Sequence, residues 1–170
     1  MTVAKPRLRV SAPTGPAPSG RGFYQLEEES LYVQIGSFNE QHSFFSWLES
    51  DTVRFDIDKK GRLVFIEVDL PRRHWPKADS IPMPVGATSG DIRFLDFRSR
   101  LSTPQITTSH MCRRMLLEFA SETNSRFIYL ANSVIAGLDD MDRLVSVLID
   151  DICDDLAGQE ISAFRKSLTA

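Results

Sequence analysis

Cysteine and histidine are the residues of this sequence best suited to nucleophilic chemistry. Cys112 precedes Arg113 and Arg114, and neighbouring cations favour the reactive thiolate form of a cysteine. His110 lies two positions before it and His42 is further away, so either could supply a base if the fold brought it close. A small enzyme using Cys112 and His110 is therefore one hypothesis for the function.

Aspartate-rich turns raise the question of a metal site. Asp56, Asp58 and Glu67 fall at ligand positions of a calcium loop of the EF-hand type. Lys60 occupies another position where that loop needs an oxygen ligand, and the flanks have the pattern of strands rather than helices. A hairpin turn explains the same residues. We therefore predict no metal and no cofactor, and keep a metal-dependent enzyme only as part of the alternative hypothesis.

Acidic residues are concentrated near the end of the chain. Residues 137–160 contain eight acids and one arginine, whereas the whole chain has a net charge of only −3. An acidic face speeds association with a basic partner and makes it depend on salt. This favours an immunity or inhibitor-type protein that covers a basic partner such as a nuclease; the alternative is a solvated face and turn. The candidate binding residues are Asp139, Asp140, Asp142, Asp150, Asp151, Asp154 and Asp155.

A proline-rich stretch, residues 71–90, contributes the other candidate binding residues. Four prolines interrupt it, and proline cannot donate to a sheet ladder, so we expect a loop that crosses between two halves of the molecule. His74 and Trp75 lie in this loop and are flanked by three basic residues. They form either an exposed aromatic and basic contact site or, for the tryptophan, an anchor that packs the loop on the sheet.

The elements that position these residues centre on a hairpin at residues 52–70. Val53, Phe55 and Ile57 alternate with polar residues, the pattern of a half-buried strand. The polar turn that follows ends at Gly61, which tolerates the positive φ that such turns need. A second strand rich in β-branched residues follows.

The hairpin has a counterpart later in the chain. A shift of 81 residues aligns Arg62-Leu63-Val64 with Arg143-Leu144-Val145 and the two aspartate-rich turns with each other. Upstream, with a loop three residues shorter, residues 31–35 align with residues 115–119. This predicts a duplicated unit at 31–70 and 115–152; the alternative is that two amphipathic hairpins simply look alike.

The first copy resembles a small bacterial domain family of unknown function. Its members carry an LYI-type strand and then a hairpin of the form V-x-x-D-x-D-x-x-G-R-(I/V)-V-G-I-E-I. Phe65 stands where the family usually has glycine. The resemblance implies a β-meander and no activity. The matching residues are Leu31-Tyr32-Val33, Asp56, Asp58, Gly61-Arg62-Leu63-Val64 and Ile66-Glu67-Val68.

Composition is that of an ordinary folded protein. The chain has 170 residues, 42% of them hydrophobic, and only two cysteines, which fits a reducing compartment. No run approaches the length of a membrane span, and the N-terminus has no apolar core of the secretory type. We expect a cytoplasmic, bacterial protein without a membrane partner, and nucleic acid is an unlikely ligand because basic residues are sparse.

The predicted fold is mainly β. Two related antiparallel meanders pack as a sandwich or half-open barrel, with a short C-terminal helix over 154–168. A strand with no counterpart in the first copy is expected over 91–98. The predicted segments are a disordered basic tail rich in proline and glycine (1–22), the first meander (23–70), the crossing loop (71–90) and the second meander with its extra strand and helix (91–170).

Self-association is the last expectation. The strand over 44–49 carries Phe44, Phe45, Trp47 and Leu48, so both its faces are apolar. One face can pack on its own copy, while the other needs the second copy, through residues 127–130, or another chain. Because the proline-rich crossing would be stiff and hold the copies apart, we predict a homodimer with Trp47 near the contact. The leading function is a non-catalytic binding or assembly module.

Overall fold

The computed structural model describes residues 5–36, 42–43, 45–121, 124, 126–155, 162, 166 and 168–169. This part of the chain is mainly β-structure, which confirms the predicted fold class; a single 3-10 turn spans Arg72–His74. The strands are β1 (Leu8–Ser11), β2 (Gly20–Gln25), β3 (Ser30–Ile35), β4 (His42–Ser43), β5 (Ser46–Glu49), β6 (Val53–Ile57), β7 (Leu63–Val68), β8 (Thr88–Ser89), β9 (Asp91–Phe94), β10 (Ser99–Arg100), β11 (Gln105–Thr108), β12 (Met115–Glu118), β13 (Arg126–Ala131), β14 (Val134–Leu138), β15 (Leu144–Ile149), β16 (Cys153–Asp154) and β17 (Leu168–Thr169).

Two main sheets share one strand order. The first runs β10-β5-β6-β7-β3-β2-β16 and the second β11-β12-β15-β14-β13-β8. Without their short parallel edge strands, each contains five antiparallel strands. The order β5-β6-β7-β3-β2 in the first corresponds to β13-β14-β15-β12-β11 in the second. The segments that align in sequence therefore occupy equivalent places.

The pairing registers of the two sheets also agree. Val53 lies opposite Val68 in the first central hairpin, and Val134 lies opposite Ile149 in the second. Each hairpin has a register shift just before its turn. Because a slip of one residue would turn every side chain to the other face, equal registers give the two sheets equivalent inner faces.

The inner faces of both sheets form one apolar core. The alternation of side chains along the strands points Leu48 and Phe55 of the first sheet into the core. There they belong to the same cluster as Leu117 and Val147 of the second sheet. The Phe55 and Phe119 rings meet edge to face across the core, with centroids 5.7 Å apart. The two meanders are therefore layers of one sandwich within a single chain.

The N-terminal segment is part of this sandwich, which corrects the prediction of a disordered tail over 1–22. Residues 1–4 lie outside the described residues, but β1 pairs antiparallel with β9, the strand expected to have no counterpart. The Leu8 N–H donates to the Asp142 carbonyl over 3.0 Å, and the Phe94 N–H donates to the Gly61 carbonyl over 2.8 Å. Since Gly61 and Asp142 are equivalent turn positions, β1 and β9 are equivalent strands, and each lies against the turn of the other copy.

The proline-rich crossing lies on the outer face of the second sheet. Ile81 is buried there against Ile135 and Leu148, with Ala78 and Ala87 beside them. The expectation that this crossing holds the two copies apart is wrong, because its apolar side chains pack on one copy while the inner faces of both copies share a core.

The predicted C-terminal helix over 154–168 falls largely outside the described residues. The two described residues in its interior, Ser162 and Lys166, are helical. At its two ends the structure has short strands: β16 pairs in parallel with β2, and β17 pairs in parallel with β4. The chain thus returns from the second sheet to the edge of the first.

Candidate binding surfaces

The aspartate-rich turns are built by their own hydrogen bonds. Asp58 Oδ1 accepts from the backbone N–H groups two and four residues later, over 2.8 and 2.9 Å. Asp139 Oδ1 makes the same two contacts, both at 2.9 Å. Gly61 has φ of 83° and its counterpart Asp142 has φ of 56°, which aspartate tolerates better than most residues. Within the described residues no three acidic, histidine or cysteine side chains converge as metal ligands.

Asp139 is buried and ion-paired. Its Oδ2 accepts from Lys5 Nζ over 3.0 Å and from Arg143 Nε over 2.9 Å. Burial alone would raise the pKa of this carboxyl, but hydrogen bonds from the Arg143 and Met141 N–H groups and from the Lys5 and Arg143 side chains outweigh burial and hold the pKa well below its usual value. Asp139 is therefore an internal anion at neutral pH that fixes the N-terminal segment, and it does not belong to an exposed acidic face.

The other predicted acidic residues are dispersed and mostly paired with arginines. Six-residue β15 separates the Asp139 turn from Asp150, a span of roughly 20 Å. Asp140 is exposed and Asp155 is buried. The ion pairs are Asp142 with Arg126, Asp150 with Arg114, Asp151 with Arg21 and Asp154 with Arg72. The described residues thus form no continuous, uncompensated acidic surface.

Trp75 belongs to the core and His74 to the surface. The Trp75 indole is 3% exposed, its Nε1–H donates to the Leu70 carbonyl over 2.8 Å, and its ring meets Tyr24 edge to face at 5.3 Å. Trp75 as an exposed contact residue is therefore wrong, because its polar edge is satisfied internally and its ring contacts Tyr24 and the guanidinium group of Arg72. His74 is exposed in the 3-10 turn beside it.

The cysteine hypothesis gains no catalytic pair from the described geometry. Cys112 Sγ contacts Lys77 Nζ, while His110 Nε2 lies 3.6 Å from Asp79 Oδ1 at an exposed position. No hydrogen bond joins Cys112 to His110 among the described residues. His110 and Cys112 are two positions apart in the sequence but have different partners. Cys112 has a left-handed backbone conformation with φ of 59°.

A cluster of aromatic and arginine side chains covers the outer edge of the first sheet. Phe45 and Phe97 are 44% and 39% exposed, and their rings meet edge to face at 5.7 Å. Trp47 lies between two guanidinium groups, Arg54 at 5.2 Å and Arg98 at 5.6 Å from its ring centroid. We call these five residues the aromatic–arginine surface. Trp, Tyr and Arg are the residues enriched in the energetic centres of protein interfaces.

Strand geometry explains why these side chains face outwards. In β5, Ser46 and Leu48 are buried towards the core, so Trp47 points to the opposite face. In β6, Arg54 and Asp56 alternate in the same way with buried Val53 and Phe55. The period-2 pattern of β6 was visible in the sequence, whereas the sequence predicted two apolar faces for the strand that contains β5.

The charges on this surface are only partly matched within the chain. Arg54 Nε donates to Asp56 Oδ1 over 2.8 Å; burial raises the pKa of Asp56, and the Arg54 hydrogen bond opposes that shift only in part. Arg98 and Glu49 flank Trp47 and form no ion pair with any described residue. Arg98 is held in place by its backbone N–H, which donates to Ser46 Oγ over 3.0 Å.

Sequence reasoning found Trp47 and Phe45 but missed Phe97 and Arg98. These two come from the connection between β9 and β10, which folds back on β5 through the parallel β10–β5 pair. The available signal was Phe97 beside Arg98 in a short segment after a strand, but only the tertiary fold shows that it lies next to Trp47.

Comparison with known proteins gives no further identification, since the chain matches no family model and no curated protein. Among the described residues, no helix has the length and apolar character needed to cross a membrane. The class that fold and surface define is thus a two-layer β-sandwich with an exposed aromatic–arginine surface.

Proposed function

We propose that this protein is a non-catalytic assembly module that binds a second copy of itself through the aromatic–arginine surface. The carrying observation is that Arg98 lies over the Trp47 ring and Glu49 follows Trp47 on the same face of β5, while neither forms an ion pair with a described residue. A two-fold contact brings the same patch of both subunits together, so a patch must complement itself. This patch carries both a cation and an anion that form no ion pair among the described residues, beside exposed rings, so it can complement itself.

The expected arrangement places Arg98 of each subunit against Glu49 of the other, with the exposed rings of Phe45 and Phe97 between them. Ion pairs at such a contact mainly set register and specificity, while the buried rings supply most of the affinity. Glu49 faces Arg54 across its own sheet, but Arg54 already donates to Asp56. Glu49 itself forms no ion pair with a described residue, so we expect it to accept a cation from another subunit.

Strand β5 supports the same proposal. Among the described residues, its outer side pairs with the two residues of β10 alone, at Leu48 and Glu49. An exposed edge beside apolar side chains tends to associate unless it is covered. A second subunit over Trp47 and Phe45 would provide that cover.

The other two hypotheses receive less support. An inhibitor-type function needs an acidic face, and the acidic segment is divided among separate arginine partners. An enzyme using Cys112 and His110 needs the two groups to cooperate, and each has a different partner. A binding module requires neither.

Charge exchange tests the proposal. Light scattering at micromolar concentration should give twice the 19.2 kDa mass of one chain for the wild type. Arg98→Glu and Glu49→Arg should each weaken association by about tenfold or more, because each places like charges together. The double variant Arg98→Glu/Glu49→Arg should recover most of the affinity, since the pair is re-formed with reversed sign.

Arg113→Glu is the matched control. Arg113 is exposed in the turn between β11 and β12 of the second sheet, whereas the aromatic–arginine surface lies on the first sheet. This variant should leave association unchanged. A mass of 19.2 kDa at every concentration would exclude the homodimer. If neither charge reversal changed the affinity of the dimer, the contact between subunits would lie elsewhere on the molecule.

A further inference from the structure

A cleft of about 830 Å³ lies between the loop that joins β1 to β2 and the turn of the first hairpin. Residues 13–19, with three prolines, form one wall. Lys59, Lys60 and Arg62 lie on the hairpin side, and residues 89–92 complete the lining. The volume falls within the range of small-ligand sites.

Positive charge predominates in this cleft. Lys59 and Lys60 are exposed and form no ion pair within the described part of the chain. The lining also holds two carboxylates: Asp58 accepts from the backbone of its own turn, and Asp91 accepts from Arg93 over 3.1 Å and lies 3.9 Å from Arg62. Two lysine ammonium groups are therefore left to face a ligand.

The second hairpin turn shows that these lysines are not needed for the turn. Asp140 and Met141 occupy the equivalent positions, and the hydrogen bonds of the turn are the same. There, Lys5 enters from the N-terminal segment and neutralises the turn aspartate. The lysine pair is thus a feature of the first turn alone, where the cleft lies.

We propose that this cleft binds a small molecule through a chain of two or more phosphates. Lysine ammonium groups bind phosphate as point charges, and two adjacent ones suit an extended polyanion better than a single small anion. The described lining contains no aromatic side chain, so a nucleobase would have no ring on which to stack. The recognised part is the polyphosphate, whether it is free or carried by a nucleotide.

Titration calorimetry with tripolyphosphate at low ionic strength is the direct test, since salt screens exposed charges. Wild-type protein should bind it, and ATP should bind with similar affinity because only the phosphates are recognised. Lys59→Asp/Lys60→Met gives the first turn the residues that the second turn has at the equivalent positions. The second turn forms the same hydrogen bonds with these residues, so we expect the variant to fold. This variant should lose about tenfold or more in affinity, roughly 1.4 kcal/mol.

The reverse exchange, Asp140→Lys/Met141→Lys, is the control for simple charge attraction. Made in the Lys59→Asp/Lys60→Met background, it restores the net charge at a turn that does not line the cleft, and binding should stay weak. Recovery of binding in this combined variant would overturn the site. So would absence of tripolyphosphate binding by the wild type, affinity unchanged in Lys59→Asp/Lys60→Met, or ATP binding far more tightly than tripolyphosphate.

Discussion

Lys5 donates from Nζ to Asp139 Oδ2 over 3.0 Å and thereby joins residues 134 positions apart in the chain. Both side chains are largely buried, with 13% and 6% of their surface exposed. Breaking a buried ion pair from one side leaves an uncompensated charge, which costs far more than losing a surface pair. This pair therefore contributes to fixing the N-terminal segment on the second hairpin.

Asp139→Asn should lower the free energy of unfolding at pH 7 by about 3 kcal/mol, measured by urea denaturation. The amide keeps an oxygen for the two turn N–H groups but removes the charge that Lys5 needs. Asp58→Asn is the matched control, because Asp58 makes the same two turn contacts without a lysine partner. Its loss should stay below about 1 kcal/mol; equal losses in the two variants would show that the ion pair adds nothing.

The stability of this protein should depend on pH through Asp139. Its pKa is lowered in the folded state, so its contribution is complete above the ordinary aspartate value of about 3.9 and is lost as the pH falls from there towards the folded pKa. The difference in unfolding free energy between wild type and Asp139→Asn should therefore shrink below about pH 4. A difference that stays constant down to strongly acidic pH would contradict the lowered pKa.

Asp56 should show the opposite sign. Burial raises its pKa, with Arg54 opposing, so its contribution to stability is complete below the ordinary value and is lost as the pH rises through the folded pKa. Asp56→Asn should therefore be tolerated better at neutral pH than Asp139→Asn. Parallel urea titrations of the two variants at pH 7 provide the comparison, and a larger loss for Asp56→Asn would exclude this assignment.

Gly61→Ala should destabilise the first hairpin by more than about 2 kcal/mol. The residue has φ of 83°, and a Cβ atom there would lie 2.5 Å from the Phe94 carbonyl oxygen. Gly15→Ala is the control, since a Cβ atom at that position meets nothing within 4 Å. Thermal unfolding should show a clear loss only for Gly61→Ala, and similar curves for the two variants would contradict the close approach of β9.

Trp75 should behave as a core residue in mutagenesis. Trp75→Phe removes the hydrogen bond to the Leu70 carbonyl and should cost about 1 to 2 kcal/mol of unfolding free energy. Trp75→Ala also leaves a cavity against Tyr24 and should cost about 3 kcal/mol or more. His74→Ala, in the exposed position next to it, should change stability little. If both tryptophan variants unfolded like the wild type, the packing of the crossing segment would have to be different.

Local patterns in the sequence were enough to predict the mainly β fold and the central hairpins. Alternation at Val53, Phe55 and Ile57 specifies which face of β6 is buried, because the period of a strand leaves no other arrangement. The turn at Asp58 was equally predictable, because the Asp58 side chain accepts hydrogen bonds from the backbone of the same turn. These features depend on neighbours within a few residues.

Long-range contacts were not predictable in the same way. Residues 8–11 form too short a segment to show a pattern, and β1 exists because β9 pairs with it. The acidic segment looked uncompensated because its arginine partners, such as Arg21 and Arg114, come from distant strands. Trp75 had two interpretations, and only its contact with Tyr24 decides between them. The sequence shows which residues are charged, but only the fold shows which of them form ion pairs.

The exchange of β1 and β9 between the two turns has a consequence for biosynthesis. Leu8 leaves the ribosome long before Asp142, the residue whose carbonyl accepts its N–H. The contact between β1 and the second hairpin therefore forms only after Asp142 has emerged, and contacts of such long sequence separation slow folding. A chain divided at the proline-rich crossing would give two halves that each hold the strand the other lacks, which makes this protein a natural candidate for fragment complementation.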